Sequence, residues 1–174
     1  MSTCAPRSRA WLVVLAVVPL VCGCAVKRIE NGVYHSSKGY RVAIPKAEWT
    51  LVDEGPADLT LRHRVSAAGM AVNAVCEGAA PRRAPGVLAR QLQIGLRDRR
   101  TIERTTVDVG GRPASRVVVE GRLEDSATSV RIESLSMTNE RCLYDFLYVA
   151  PPATFEATRG DFAQLVDSFG TESP

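Results

Sequence analysis

The sequence predicts an α+β domain, a curved antiparallel sheet flanked by helices in the order ββββ-α-ββββ-α. Strand-like runs separated by short turns follow one another up to residue 77 and again from 101 to 149, and consecutive strands joined by short turns pair antiparallel. Between the two sets, leucines recur at every fourth residue. A last apolar stripe follows Pro151-Pro152. Both stripes have the spacing of amphipathic helices laid on a sheet.

The chain begins with a segment that is not part of that domain. Arg7 and Arg9 precede a short apolar run, Ala10 to Val21, which Pro19 and Gly23 interrupt. The run is too short and broken for a transmembrane helix and has the shape of a signal peptide. It closes on Val21-Cys22-Gly23-Cys24, which resembles the bacterial lipobox, with Cys22 where Ser, Ala or Thr is commoner. The resemblance implies that residues 1–23 are removed and that Cys24 carries a diacylglycerol, an anchor in which each buried methylene contributes about 0.8 kcal/mol. Ala25 follows, in place of the Asp that retains many lipoproteins in the inner membrane. That implies an outer membrane in a Gram-negative envelope, with the domain facing the periplasm. The rival reading is an ordinary signal peptide that leaves Cys24 unmodified.

Residues 24–38 read as a lipidated N-terminus and short tether with one strand, 39–170 as a single globular domain and 171–174 as a tail. Tyr40, Val42 and Ile44 alternate with Arg41 and Ala43, a half-buried strand that Pro45 ends. Further strands are expected at Glu48–Val52, Leu59–His63 and Gly69–Glu77. Leu88, Leu92 and Leu96 then predict a helix over Pro85–Arg99. Strands at 101–109, 113–123, 128–138 and 142–149 are separated by Gly110-Gly111, Asp125-Ser126 and Asn139-Glu140-Arg141. The last helix carries Phe155, Phe162, Leu165, Val166 and Phe169 on its apolar face.

Several of these pieces are similar to the PsbP-like family, which includes the extrinsic photosystem II protein and bacterial DcrB-type lipoproteins. They are Gly39-Tyr40-Arg41-Val42-Ala43-Ile44-Pro45 followed by Trp49, Gly111-Arg112-Pro113-Ala114, Leu143-Tyr144-Asp145 to Pro151, and Phe162 to Phe169. The resemblance implies an α/β/α sandwich around a curved antiparallel sheet. It implies little about activity, because the family shares no catalytic residues and fold does not fix function.

Composition narrows the function classes. The 174 residues are 45% hydrophobic and 24% charged, the range of ordinary globular proteins. The formal charge of +3 falls to +1 without residues 1–23, which argues against nucleic acid as a partner. Charge is unevenly spread: Arg82, Arg83, Arg90, Arg97, Arg99, Arg100 and Arg104 face only Asp98 and Glu103, whereas residues 120–174 are net acidic. Arg82, Arg83, Arg90, Arg97 and Arg100 are therefore the candidate contact surface, against the plainer reading of solvated faces.

Cys76 and Cys142 lie in strand-like runs. In an oxidising envelope such a pair tends to be bridged; the alternative is two buried thiols. No Cys-x-x-Cys, zinc-ligand spacing, nucleophile elbow or phosphate loop occurs. No cofactor or metal ligand is expected. An enzyme would need convergent groups, and Asp145, Glu133 and His63 are the ones to locate. The expectation is a non-enzymatic, lipid-anchored accessory or assembly module, attached to the membrane and to an envelope protein partner. Its alternative is a carrier or chaperone with an apolar ligand between helix and sheet.

Overall fold

The structure is a computed structural model describing residues 28–45, 48–53, 55–76, 95–124 and 126–172. Among the described residues, eleven strands form two antiparallel sheets. The smaller sheet has the order β1-β2-β3-β11, from Arg28–Glu30, Val33–Ser36, Tyr40–Ala43 and Gly170–Thr171. The larger has the order β4-β5-β6-β10-β9-β8-β7. Its strands are β4 (Trp49–Leu51), β5 (Leu59–His63), β6 (Gly69–Cys76), β7 (Leu96–Val109), β8 (Arg112–Leu123), β9 (Ser129–Thr138) and β10 (Cys142–Ala150). One helix, α1 (Phe155–Asp167), occurs among the described residues.

This corrects the expected fold class. The described chain is mostly β, with two sheets and a single helix, instead of ββββ-α-ββββ-α with helices on both flanks. The Pro85–Arg99 helix is contradicted where it can be seen, since Leu96 to Arg99 open β7; its residues 85–94 lie outside the described residues. The cause is the spacing itself. Leucines four apart share a helical face, but four is also an even number, so they share a strand face equally well. Beyond Leu96, the β-branched Thr101, Ile102, Thr105, Thr106 and Val107 favour the extended chain. Pairing with β8 supplies its hydrogen bonds.

The meander β7 to β10 follows the expected turns. Gly110 and Gly111 at the β7–β8 turn have φ of 59° and 79°, the left-handed pair that a two-residue hairpin turn requires. Residues 28–36, within the segment read as a short tether with one strand, form two strands, β1 and β2, paired through Ile29↔Tyr34.

The proline pair ends β10, and α1 begins with Glu156 in its first turn, where a carboxylate favours the positive helix end. Phe155, Thr158, Phe162, Leu165 and Val166 form its buried stripe. Each large apolar side chain so buried contributes about 2 kcal/mol. The last turn is fixed by Ser168, whose hydroxyl donates to Leu165 O and accepts from the Ala43 amide, both at 2.7 Å. The helix therefore lies across one face of the larger sheet and is tied to the smaller one. That layer holds the main core, with Tyr40, Tyr144, Phe146, Tyr148 and Phe162 all at most 2% exposed. The opposite sheet face carries a second, smaller apolar cluster, of Leu96, Val119, Val130, Ile132 and Leu147.

Candidate functional site

A cleft of about 460 Å³ opens where α1 stops covering the sheet. Register explains why it is there. Tyr148 pairs with Glu133, Phe146 with Leu135, Leu135 with Arg116, and Arg116 with Thr105. Moving outward from β10, the helix-side face thus changes from aromatic to charged within two strands. On the helix, Gly160 and Ala163 line the cleft and leave it open. Val107, Val109, Leu135, Phe162 and Val166 supply its apolar surface.

Beside the apolar surface runs a lattice of ion pairs. Arg116 bonds Glu133 through Nε and Glu103 through Nη1, the latter at 2.6 Å. Arg159 of the helix reaches the other Glu133 oxygen at 2.8 Å and Glu156 at 3.3 Å. Arg131 binds Glu120 at 2.8 Å and approaches Glu156 at 3.7 Å, while Arg100 lies 3.9 Å from Glu120. The Arg131 and Arg159 guanidiniums also sit over the Phe155 ring, 5.2 and 5.9 Å from its centroid. Such stacking suits arginine better than lysine. Glu133 is 5% exposed. Burial pushes its carboxyl up from the ordinary range, and the Arg116 hydrogen bond and charge pull the other way. Arg116 Nη2 is buried with no acceptor, as is Ser66 Oγ.

The residues weighed for catalysis do not converge. Glu133 faces the helix, whereas Asp145 is buried on the opposite face, where Ser136 donates to its carboxylate. His63 stands at the end of β5, edge-on to Trp49 with centroids 4.9 Å apart, and its Nδ1 accepts from the Ser66 amide at 2.9 Å. His35 pairs instead with Glu172 at 2.8 Å. Among the described residues, no three His, Cys, Asp or Glu side chains form a group able to hold a metal.

Cys76 and Cys142 are directly opposite in the β6–β10 ladder and are joined as a disulfide. Of the candidate contact arginines, Arg82, Arg83 and Arg90 lie outside the described residues, as does Cys24. Arg97 and Arg100 are on the exposed edge strand β7, near Glu124 and Glu120. Arg116, which the sequence did not single out, organises the lattice. Its signal was an arginine at an inward position between Ala114 and Val118, whose meaning depends on the β8–β9 register.

A helix laid on one face of a seven-stranded antiparallel sheet, with a four-stranded sheet beside it, is a PsbP-like fold. The cyanobacterial PsbP, CyanoP, of Synechocystis sp. PCC 6803 superposes with a TM-score of 0.58 at 15% identity, over 80% of this chain and 91% of that one. LpqN of Mycobacterium tuberculosis, described as involved in cell envelope biogenesis, gives 0.54 at 10% identity, over 77% and 83%. A protein of Bacteroides thetaiotaomicron gives 0.56 at 10% identity, over 83% of this chain and 50% of that one. These similarities establish the fold. No family model and no curated protein matches the sequence. No helix among the described residues is long and apolar enough to cross a membrane.

Proposed function

We propose that this chain is a non-enzymatic binding module of the cell envelope, anchored through a lipid on Cys24 and holding an apolar ligand in the cleft between α1 and the sheet. The observation that carries this reading is the cleft: a volume in the range of small-molecule sites, apolar walls and a few fixed polar groups. Most of the residues around it are apolar or engaged in ion pairs, with Asp108 and Asp167 as the exceptions, and such groups bind and orient. The lipobox-like tetrad supports the lipid anchor, Ala25 after Cys24 supports the outer membrane facing the periplasm, and the likeness to LpqN, described as involved in cell envelope biogenesis, supports a role as an accessory to an envelope protein partner.

Two measurements test the reading separately. Intact mass of protein purified from membranes should match residues 24–174 plus acyl chains; an unacylated, soluble product would overturn the anchor. Solvent extraction of the purified protein should release an apolar ligand that Ala163→Trp, which fills the cleft, no longer retains. Identical extracts from both would overturn the cleft's role.

A further inference from the structure

Among the described residues, the large apolar side chains that stand exposed are Ile29, Val65, Ile102 and Leu123. Of these, Ile29 alone belongs to the smaller sheet, where it is 39% exposed. It sits on β1, whose one neighbour is β2, at the edge of that sheet. Its register partner is the buried Tyr34, which donates to Asp58 O at 3.1 Å. Residues directly opposite in an antiparallel ladder share a face, so Ile29 carries the apolar surface of Tyr34 past the limit of the core. A single exposed apolar residue needs no explanation by itself. The place of Ile29 in the chain supplies one.

Residues 25–27 are all that separate Cys24 from Arg28, where β1 begins. Four steps along a fully extended chain span at most about 14 Å. Strand β7 alone, with 14 residues, is about 46 Å long. A lipid on Cys24 thus confines the β1 edge to the bilayer surface, on a leash short against the domain it carries. Lys27 and Arg28 lie between that lipid and Ile29, and basic residues beside an apolar one suit a headgroup layer.

Resting on the reading of Cys24 as the lipid anchor, we propose that β1 and the β1–β2 turn at Asn31-Gly32 form a membrane-contact surface. They are seated on phospholipid headgroups, with Ile29 at the interface. Ile102 is the matched control. It is 42% exposed, on an edge strand of the larger sheet, and about 26 Å along β7 from Gly110, which lies against Phe169 beside β11.

The test uses the mature lipidated chain in vesicles of phosphatidylcholine and phosphatidylglycerol, with a nitroxide on part of the phosphatidylcholine headgroups. Ile29→Cys and Ile102→Cys each introduce a thiol for a fluorophore, and Cys76 and Cys142 do not compete because they are bridged. The label on Ile29→Cys should be quenched at least about threefold more than that on Ile102→Cys, given the length of the leash. The unsubstituted chain gives a second readout. Hydrogen exchange over residues 29–33 should be slower on vesicles than in the unlipidated Cys24→Ser chain in solution, with residues 101–109 unchanged. Equal quenching at the two positions, or unchanged exchange over 29–33, would overturn the contact surface. Stronger quenching at Ile102→Cys would overturn it in favour of the β7 edge. Intact mass of the same sample separates the two readings: with acyl chains present, such results leave the anchor standing. An unacylated mass would overturn the anchor and this surface with it.

Discussion

The two halves of one sheet face are built on different physics. On β6 and β10, Met70, Val72, Tyr144, Phe146 and Tyr148 are buried under α1 and the smaller sheet. On β7 to β9 the same face carries Glu103, Arg116, Glu120, Arg131 and Glu133. The aromatic half is held by area removed from water, which asks only for close packing. The charged half must give every donor and acceptor a partner, because a buried unpaired group costs more than a made hydrogen bond contributes. The named side chains of the aromatic half are all at most 2% exposed. The charged half leaves Arg116 Nη2 without an acceptor and borders the cleft. The place where the fold is least complete is where it has room for something else.

The largest expected effect tests the aromatic half through its phenols. The chain has four tyrosines, and burial raises all of them, Tyr40 also through the nearby Asp58 charge. Above the unfolded value near pH 10, the unfolded chain releases phenolic protons that the folded chain retains, so stability falls as pH rises. Each tyrosine held protonated in the folded chain contributes up to about 1.4 kcal/mol per pH unit. Phenolate absorbance should appear only with loss of the folded circular dichroism signal. Phenolate formed near pH 10 in a still-folded protein would show that this half is open to water.

Phe146→Ala comes next. Phe146 is fully buried and packs edge-on to Phe169 with centroids 5.4 Å apart. Its removal should cost about 4 kcal/mol in denaturant unfolding. A loss below about 1.5 kcal/mol would mean that this half collapses around the vacancy, and the contrast between the halves would weaken.

Glu133→Gln probes the charged half and should cost about 3 kcal/mol, because it leaves Arg116 and Arg159 short of their shared carboxylate. The sharper comparison is Arg116→Met with Glu133→Leu. Replacing a buried pair by packed apolar groups is often neutral or stabilising, so this variant should be more stable than Glu133→Gln. If it is less stable, the lattice stabilises the fold outright instead of merely satisfying itself.

The aromatic half was the more legible in sequence. Strands β3 to β6 and the β7–β10 meander follow from alternation and from turns such as Gly110-Gly111. Cys76 and Cys142, each in a strand-like run, are the bonded pair. The charged half was not legible, since Arg116, Arg131 and Glu133 acquire meaning only when register sets β8 beside β9. Leu96 was read with Leu88 and Leu92 because a four-residue spacing fits both periods. β11 is two residues long and exists through pairing with β3, a contact between distant parts of the chain that no local pattern contains.

The smallest expected effect lies at the outer margin of the charged half. Arg97 and Arg100 are 66% and 73% exposed at the side chain, with Glu124 and Glu120 at 3.7 and 3.9 Å. Pairs this open to water are screened and lose side-chain entropy when held, so each is worth a few tenths of a kcal/mol at most. Arg97→Ala and Arg100→Ala should each shift unfolding by less than about 0.5 kcal/mol, and salt should shrink even that. A loss above 1 kcal/mol would mean that the lattice extends cooperatively from Glu133 through Glu120 to the sheet edge. The charged half would then stabilise the fold as a unit, out to its edge.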